Sequence, residues 1–212
     1  MTHTLHRTGS RKSLQHDFVL LITPAIGRNE KDAAESLRLA LDVLVEAGPA
    51  NLGFYAKGNL RSGIDLQLIR QELTDTSRLR CCFDDKNRLQ QALKELKRLD
   101  LGLSVTVSGL IDEVLKVAGE LELSPHTANL SLGVFGRVDR LPDGPVLDIS
   151  TMCGHGMVGF DHVRHTAELL RSGSIDQEQA VDRLLRPCTC GIMNPGRTRS
   201  ALERICGRDG SS

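Results

Sequence analysis

Apolar positions along this chain follow two rhythms in turn, a short continuous run and then a helical stripe, and the alternation repeats. Phe18-Val19-Leu20-Leu21-Ile22-Thr23 is a brief apolar run closed by Pro24 and Gly27, the pattern of a buried strand central in a sheet. From Glu30 to Ala47 the positions Ala33, Leu37, Ala40, Leu41, Leu44 and Val45 recur at helical spacing until Gly48-Pro49 stops them. A strand over Asn51 to Tyr55 and a shorter helix over Ile64 to Leu73 follow, with a turn around Gly58-Asn59 between them. The same unit then recurs as a strand over Leu79 to Phe83, a helix over Asn87 to Leu99 and a strand over Leu103 to Val107.

Two strand-helix-strand units in succession predict an α/β (α+β) fold, with ferredoxin-like tandem units in one mixed sheet; a doubly wound sheet is the competing arrangement. A helix over Leu110 to Leu121 and strands over Asn129 to Phe135 and Val146 to Ser150 are expected to extend the sheet. Beyond them Val158 to Arg171, Asp176 to Leu185 and Thr198 to Ile205 read as helices separated by Gly173-Ser174 and the Pro187 to Gly196 turn cluster. The expected organisation is a flexible basic arm over 1–16, a sheet domain over 17–150 and a helical cap over 151–212, packed on the sheet and carrying cysteines. The arm has no apolar periodicity, and its His3, His6 and His16 read as surface histidines.

Composition narrows the function. Lys+Arg and Asp+Glu both count 27, so no excess charge points to nucleic acid or an anionic membrane as partner. Aromatics make up 3% with no Trp, which weakens a base-stacking surface as well. No run approaches the roughly 18 apolar residues of a membrane span, and the polar start lacks a signal-peptide core. The expected setting is therefore cytoplasmic, with a small-molecule substrate or a metal cofactor as ligand and no nucleic acid or membrane. In a reducing compartment the 6 cysteines read as ligands or reactive thiols rather than as a disulfide framework.

The candidate chemistry concentrates in Thr151-Met152-Cys153-Gly154-His155-Gly156-Met157-Val158 and in Pro187-Cys188-Thr189-Cys190-Gly191. Cys153 is expected where a strand ends and a helix begins, so that backbone N–H groups and the positive helix end make its thiol acidic. In Cys188-Thr189-Cys190-Gly191 a tight loop can turn both sulfurs to one side, a ligand geometry. Cys153, Cys188 and Cys190 are thus the expected cofactor and metal ligands. His155 in the same turn is the favoured fourth ligand, and also the candidate catalytic group, ahead of His162 and His165 on the following helix. Cys81 and Cys82, neighbours on a strand, point to opposite faces and read as core. The Asn194 to Arg199 stretch suits either an anion at a helix start or a plain exposed turn.

Met152-Cys153-Gly154-His155-Gly156 resembles the cysteine motif of the proline racemase and hydroxyproline epimerase family, in which one cysteine of a thiol and thiolate pair abstracts an α-proton. The resemblance implies Cys153 as one base and Cys188 or Cys190 as the other. It is confined to this motif: the family's second cysteine segment, N-terminal pattern and two-lobed length are not found in the chain.

The residues themselves point first to a metal-centre protein with an iron–sulfur cluster, preferred to zinc, on Cys153, Cys188 and Cys190. Three thiolates with one open iron make a Lewis acid suited to a lyase, hydratase or sulfur-handling reaction, whereas zinc closed by His155 is a structural site. A cofactor-independent racemase or epimerase and a non-enzymatic metal or redox accessory protein are the alternatives.

Overall fold

A computed structural model describes residues 2–207. The first strand-helix-strand unit is β1 (Phe18–Thr23), α2 (Ala33–Glu46) and β2 (Asn51–Phe54), preceded by the one-turn helix α1 (Arg11–Leu14). A two-residue strand β3 (Gly58–Asn59) and α3 (Leu66–Glu72) connect it to the second unit, β4 (Leu79–Phe83), α4 (Lys86–Leu99) and β5 (Ser104–Ser108). The sheet order is β3-β2-β4-β1-β5, and every pairing is antiparallel. The two units are therefore interleaved, with β4 of the second inserted beside β1 of the first. The doubly wound alternative fails on the same ladders, because it requires parallel neighbours.

Alternation along the strands makes two cores. Phe18, Leu20, Ile22, Leu52, Leu79, Cys81 and Phe83 project to one face and pack under Leu37, Leu41 and Leu44 of α2 and Leu89, Leu93 and Leu96 of α4. That core is apolar throughout, and its helices are those the periodicity marks. Asp85 begins α4 by accepting from the Asn87 and Arg88 N–H groups, a cap worth about 1 kcal/mol.

The opposite face carries Val19 and Cys82 and is covered by four helices: α6 (Gly144–Met152), α7 (Phe160–Arg171), α8 (Gln177–Leu185) and α9 (Pro195–Ile205). In chain order α5 (Ile111–Glu120) follows β5 and packs Val117 into the first core, and a long connection leads from it to the cap.

Three expectations need correction. Val146–Ser150 is helical, inside α6; Pro145 lies in its first turn, and Val146, Ile149 and Met152 are buried at helical spacing. Asn129–Phe135 is not a strand but exposed and irregular, with Leu132 at 88% and Phe135 at 79% exposure; its apolar alternation meets no sheet partner. The basic arm is folded onto the rest, not loose. Thr2–His6 forms a 3-10 turn, and the Arg7 side chain is buried in an ion pair with Asp17. The backbone of His3 lies in that turn, but its side chain falls outside the described residues. Among the described residues no helix is long and apolar enough to cross a membrane.

Candidate functional site

Cys153 closes α6 as its C-cap residue, with φ −91° and ψ 89°. The chain then turns through Gly156 at φ +69°, a left-handed conformation that favours glycine, and re-enters helix only at Phe160. The expected junction is thus reversed: the thiol sits at a helix C-terminus, so no positive helix end acidifies it. Hydrogen bonding does so instead, as set out below.

Cys188 and Cys190 follow α8 in a tight loop, with the Cys188 N–H donating to Leu185 O at 3.0 Å and the Gly191 N–H to Cys188 O at 3.0 Å. The loop lies directly on β2. A Cβ on Gly191, which has φ +73°, would strike the Gly53 and Leu52 backbone, and one on Gly53 would lie 2.6 Å from Gly191 N. Two glycines facing one another are what let loop and strand touch. Asn59, buried on β3, fixes the same loop by donating through Nδ2 to Leu185 O at 3.0 Å and Cys188 O at 2.9 Å.

The two cysteine segments are tied together from the N-terminus. Arg7 Nη2 donates to Met152 O at 3.0 Å, one residue before Cys153, and to Ile192 O at 2.6 Å, two residues after Cys190. Asp17, whose side chain has no exposure, balances this guanidinium and also that of Arg197. Arg197 reaches the Thr8 carbonyl as well, and Asn194 caps α9 while donating to His16 O at 2.7 Å. The Asn194–Arg199 stretch is therefore a buried anchor at its start rather than a plain exposed turn.

Within this frame the sulfurs meet. Cys153, Cys188 and Cys190 are 2%, 1% and 1% exposed. Cys188 Sγ is 3.9 Å from Cys190 Sγ, and Cys190 Sγ is 3.6 Å from His155 Nδ1. The Cys188 thiol hydrogen-bonds to both of its neighbours, which holds Cys153 and Cys190 down to about 6 and raises Cys188 well above the usual thiol range. Backbone N–H groups of Met157 and His155 add to the effect on Cys153, and that of Ile192 to the effect on Cys190. Cys188 is thus the central thiol of the three, and its neighbours on either side are the more acidic ones.

His155 is exposed at the rim, its ring 5.6 Å from that of Tyr55. The other candidates lie elsewhere. His162 turns toward α8, engaged with Arg183 O at 3.1 Å, and His165 lies exposed beside Glu168 on the outer side of α7. Cys81 belongs to the apolar core, Cys82 faces the cap with Sγ donating to Met193 O at 3.3 Å, and Cys206 ends α9. Sequence reasoning missed Arg7, Asp17, Asn59, Gly53, Tyr55 and Arg80 around the cluster. Only the small residue within the β2 apolar run, Gly53, carried a readable signal, that of close backbone approach.

All six cysteines are free, and among the described residues no group of three or more His, Cys, Asp or Glu side chains is positioned to hold a metal ion as it stands. No protein-family model matches this chain, and neither a curated protein nor a solved structure matches it.

Proposed function

We propose that Cys153, Cys188, Cys190 and His155 form a mononuclear zinc site that locks the helical cap onto the sheet. Two spacings carry the reading. A tetrahedral zinc ion with Zn–S of about 2.3 Å and Zn–N of about 2.0–2.1 Å sets two sulfurs about 3.8 Å apart, and a sulfur and a nitrogen about 3.5 Å apart. The observed edges are 3.9 Å and 3.6 Å. Cys153 adjoins Cys188 by a hydrogen bond and completes the set by turning its sulfur toward the common point. A rotamer change of that kind costs about 1 kcal/mol. Structural zinc in finger peptides binds with about 10–16 kcal/mol at neutral pH, so the change is easily offset.

The same spacing favours zinc over the cluster. Thiolates on separate irons of a cubane stand on the order of 6 Å apart. Opening the Cys188–Cys190 loop to that span would lift Gly191 off Gly53. The racemase reading draws less support still, since two catalytic thiols must flank a substrate carbon, whereas Cys153, Cys188 and Cys190 are all buried together in one core cluster. A reducing compartment such as the cytoplasm would keep the thiols available for metal.

The test is metal and acid-labile sulfide analysis of protein purified without oxygen, on wild type and five cysteine variants. The expected result is colourless protein with stoichiometric zinc, most of it lost in Cys153→Ser, Cys188→Ser and Cys190→Ser and retained in Cys81→Ser and Cys206→Ser. Brown protein containing sulfide would replace zinc by the cluster. Fully folded protein without metal would remove the reading and restore the thiol pair.

A further inference from the structure

On β4, Leu79, Cys81 and Phe83 face the apolar core, so Arg80 emerges on the cap side, directly opposite Gly53 in the β2–β4 ladder. Gly53 is the residue on which the Cys188–Gly191 loop rests, and Arg80 is thereby brought beside Cys190. Tyr55, two residues beyond Gly53, stands on the same side, with its ring against His155. Arg78 adds a second positive charge nearby.

Among the arginines with a buried Nε, the guanidinium of Arg80 stands apart in meeting no carboxylate. Three arginines have an Nε buried without a hydrogen bond: Arg7, Arg61 and Arg80. Arg7 is balanced by Asp17, and Arg61 by Glu178 and Asp182. Among the described residues Arg80 has neither ion pair nor hydrogen bond, and its anionic neighbour Cys190 is already engaged by Cys188 and His155. A half-buried cation left in this way is costly unless a ligand meets it.

We infer that Arg80, with Tyr55, forms a seat for a small oxyanion, a carboxylate or a phosphate, at the mouth of the thiol cluster. The Nε of Arg80 is buried, so the two terminal nitrogens are what a ligand meets; they form a fork that two oxygens of such a group accept together, and the Tyr55 hydroxyl can supply a third donor. The seat stands on Arg80, Tyr55 and Gly53, and so holds or fails independently of what the thiols bind.

The chain contains 1 Tyr and no Trp, so its intrinsic ultraviolet emission reports on the seat alone. The experiment titrates inorganic phosphate, and separately acetate, into the protein as purified, against chloride at matched ionic strength, with metal content measured in parallel. A saturable change in Tyr55 emission is expected with one of the two anions, and which one identifies the oxyanion class. Arg80→Met should weaken it about tenfold or more, and Arg78→Gln by no more than about twofold, because Arg78 is exposed whereas Arg80 is half-buried opposite Gly53. Arg80→Lys, which keeps the charge but not the fork, should weaken it severalfold and covers the case in which Arg80→Met does not fold. The inference is overturned by a wild-type emission that does not saturate with either anion, or by unchanged affinity in the Arg80 variants. Loss of metal from Arg80→Met without any anion response in wild type would make Arg80 a counter-ion of the thiolates, and likewise overturns it.

Discussion

The two faces of the sheet are built on different principles. Under α2 and α4 the core is hydrophobic throughout, and each side chain can be exchanged for another of similar volume at modest cost. Under the cap, apolar packing is interrupted by buried polar groups: Asp17 with Arg7 and Arg197, and the amides Asn51, Asn59 and Asn194. Nearly all of these bind backbone carbonyls or one another, and the carbonyls that Arg7, Asn51 and Asn59 bind belong to the segments that carry cysteines. Hydrophobic burial is non-directional, so it can hold a helix against a sheet without fixing where a loop's sulfurs point. Directed hydrogen bonds do fix it. The face that carries the thiols is the face where the chain has accepted buried charge.

The comparison breaks most sharply at Arg7. Arg7→Met takes away one of the two guanidinium partners of buried Asp17 and frees two carbonyls, a change expected to cost about 3–5 kcal/mol. Leu44→Ala in the other core should cost a similar amount, about 2–5 kcal/mol. The stability losses match, but the metal content should not: Leu44→Ala retains it and Arg7→Met loses most of it, measured on folded protein below the transition. Equal retention would mean that the clamp does not position the site. Deleting residues 2–12 removes the same clamp and should lower the unfolding midpoint as strongly as Arg7→Met.

A narrower comparison uses two glycines with the same backbone. Gly191 and Gly173 have φ of +73° and +74°, but a Cβ meets the β2 backbone at Gly191 and open space at Gly173. Gly173→Ala should cost about 1 kcal/mol, the strain of the left-handed region alone. Gly191→Ala should cost at least twice that and loosen the metal, because the loop must leave the strand. Thermal melts with metal analysis decide it, and equal costs would deny the loop-on-strand contact.

How far the sequence shows this division is itself uneven. The apolar face was legible, since Leu37, Leu41 and Leu44 or Leu89, Leu93 and Leu96 declare themselves by spacing alone. The thiols were legible as chemistry, because cysteines beside glycines are conspicuous in a chain without a disulfide context. Their support was not. Arg7 lies in a segment with no periodicity, and its burial arises from partners as distant in sequence as Ile192. Val146–Ser150 is too short an apolar run for periodicity to separate strand from buried helix, and Pro145, the signal that could have decided it, lies just outside. Asn129–Phe135 has the alternation of a strand, but pairing is a property of the sheet and no ladder received it.

A last expected effect is a pH dependence of the metal-free protein. Folding lowers Cys153 and Cys190 from 9.0 to about 6, so thiolate ultraviolet absorbance should rise through about pH 6. The sign for stability follows from linkage: a depressed folded-state value contributes stability that is complete above the unfolded value of 9.0 and lost as pH falls through about 6. Denaturant midpoints of chelated protein should therefore decline from pH 9 toward pH 6. Absorbance that rises only near 9 would show that Cys188 does not donate to its neighbours.

The central claim is the ligand set, and X-ray absorption at the metal edge of the protein as purified tests it most directly. The account predicts a zinc edge with a shell of three sulfurs at about 2.3 Å and one nitrogen at about 2.0–2.1 Å, the nitrogen component lost in His155→Ala. An iron edge with an iron–iron distance, or a shell of oxygens only, would contradict it.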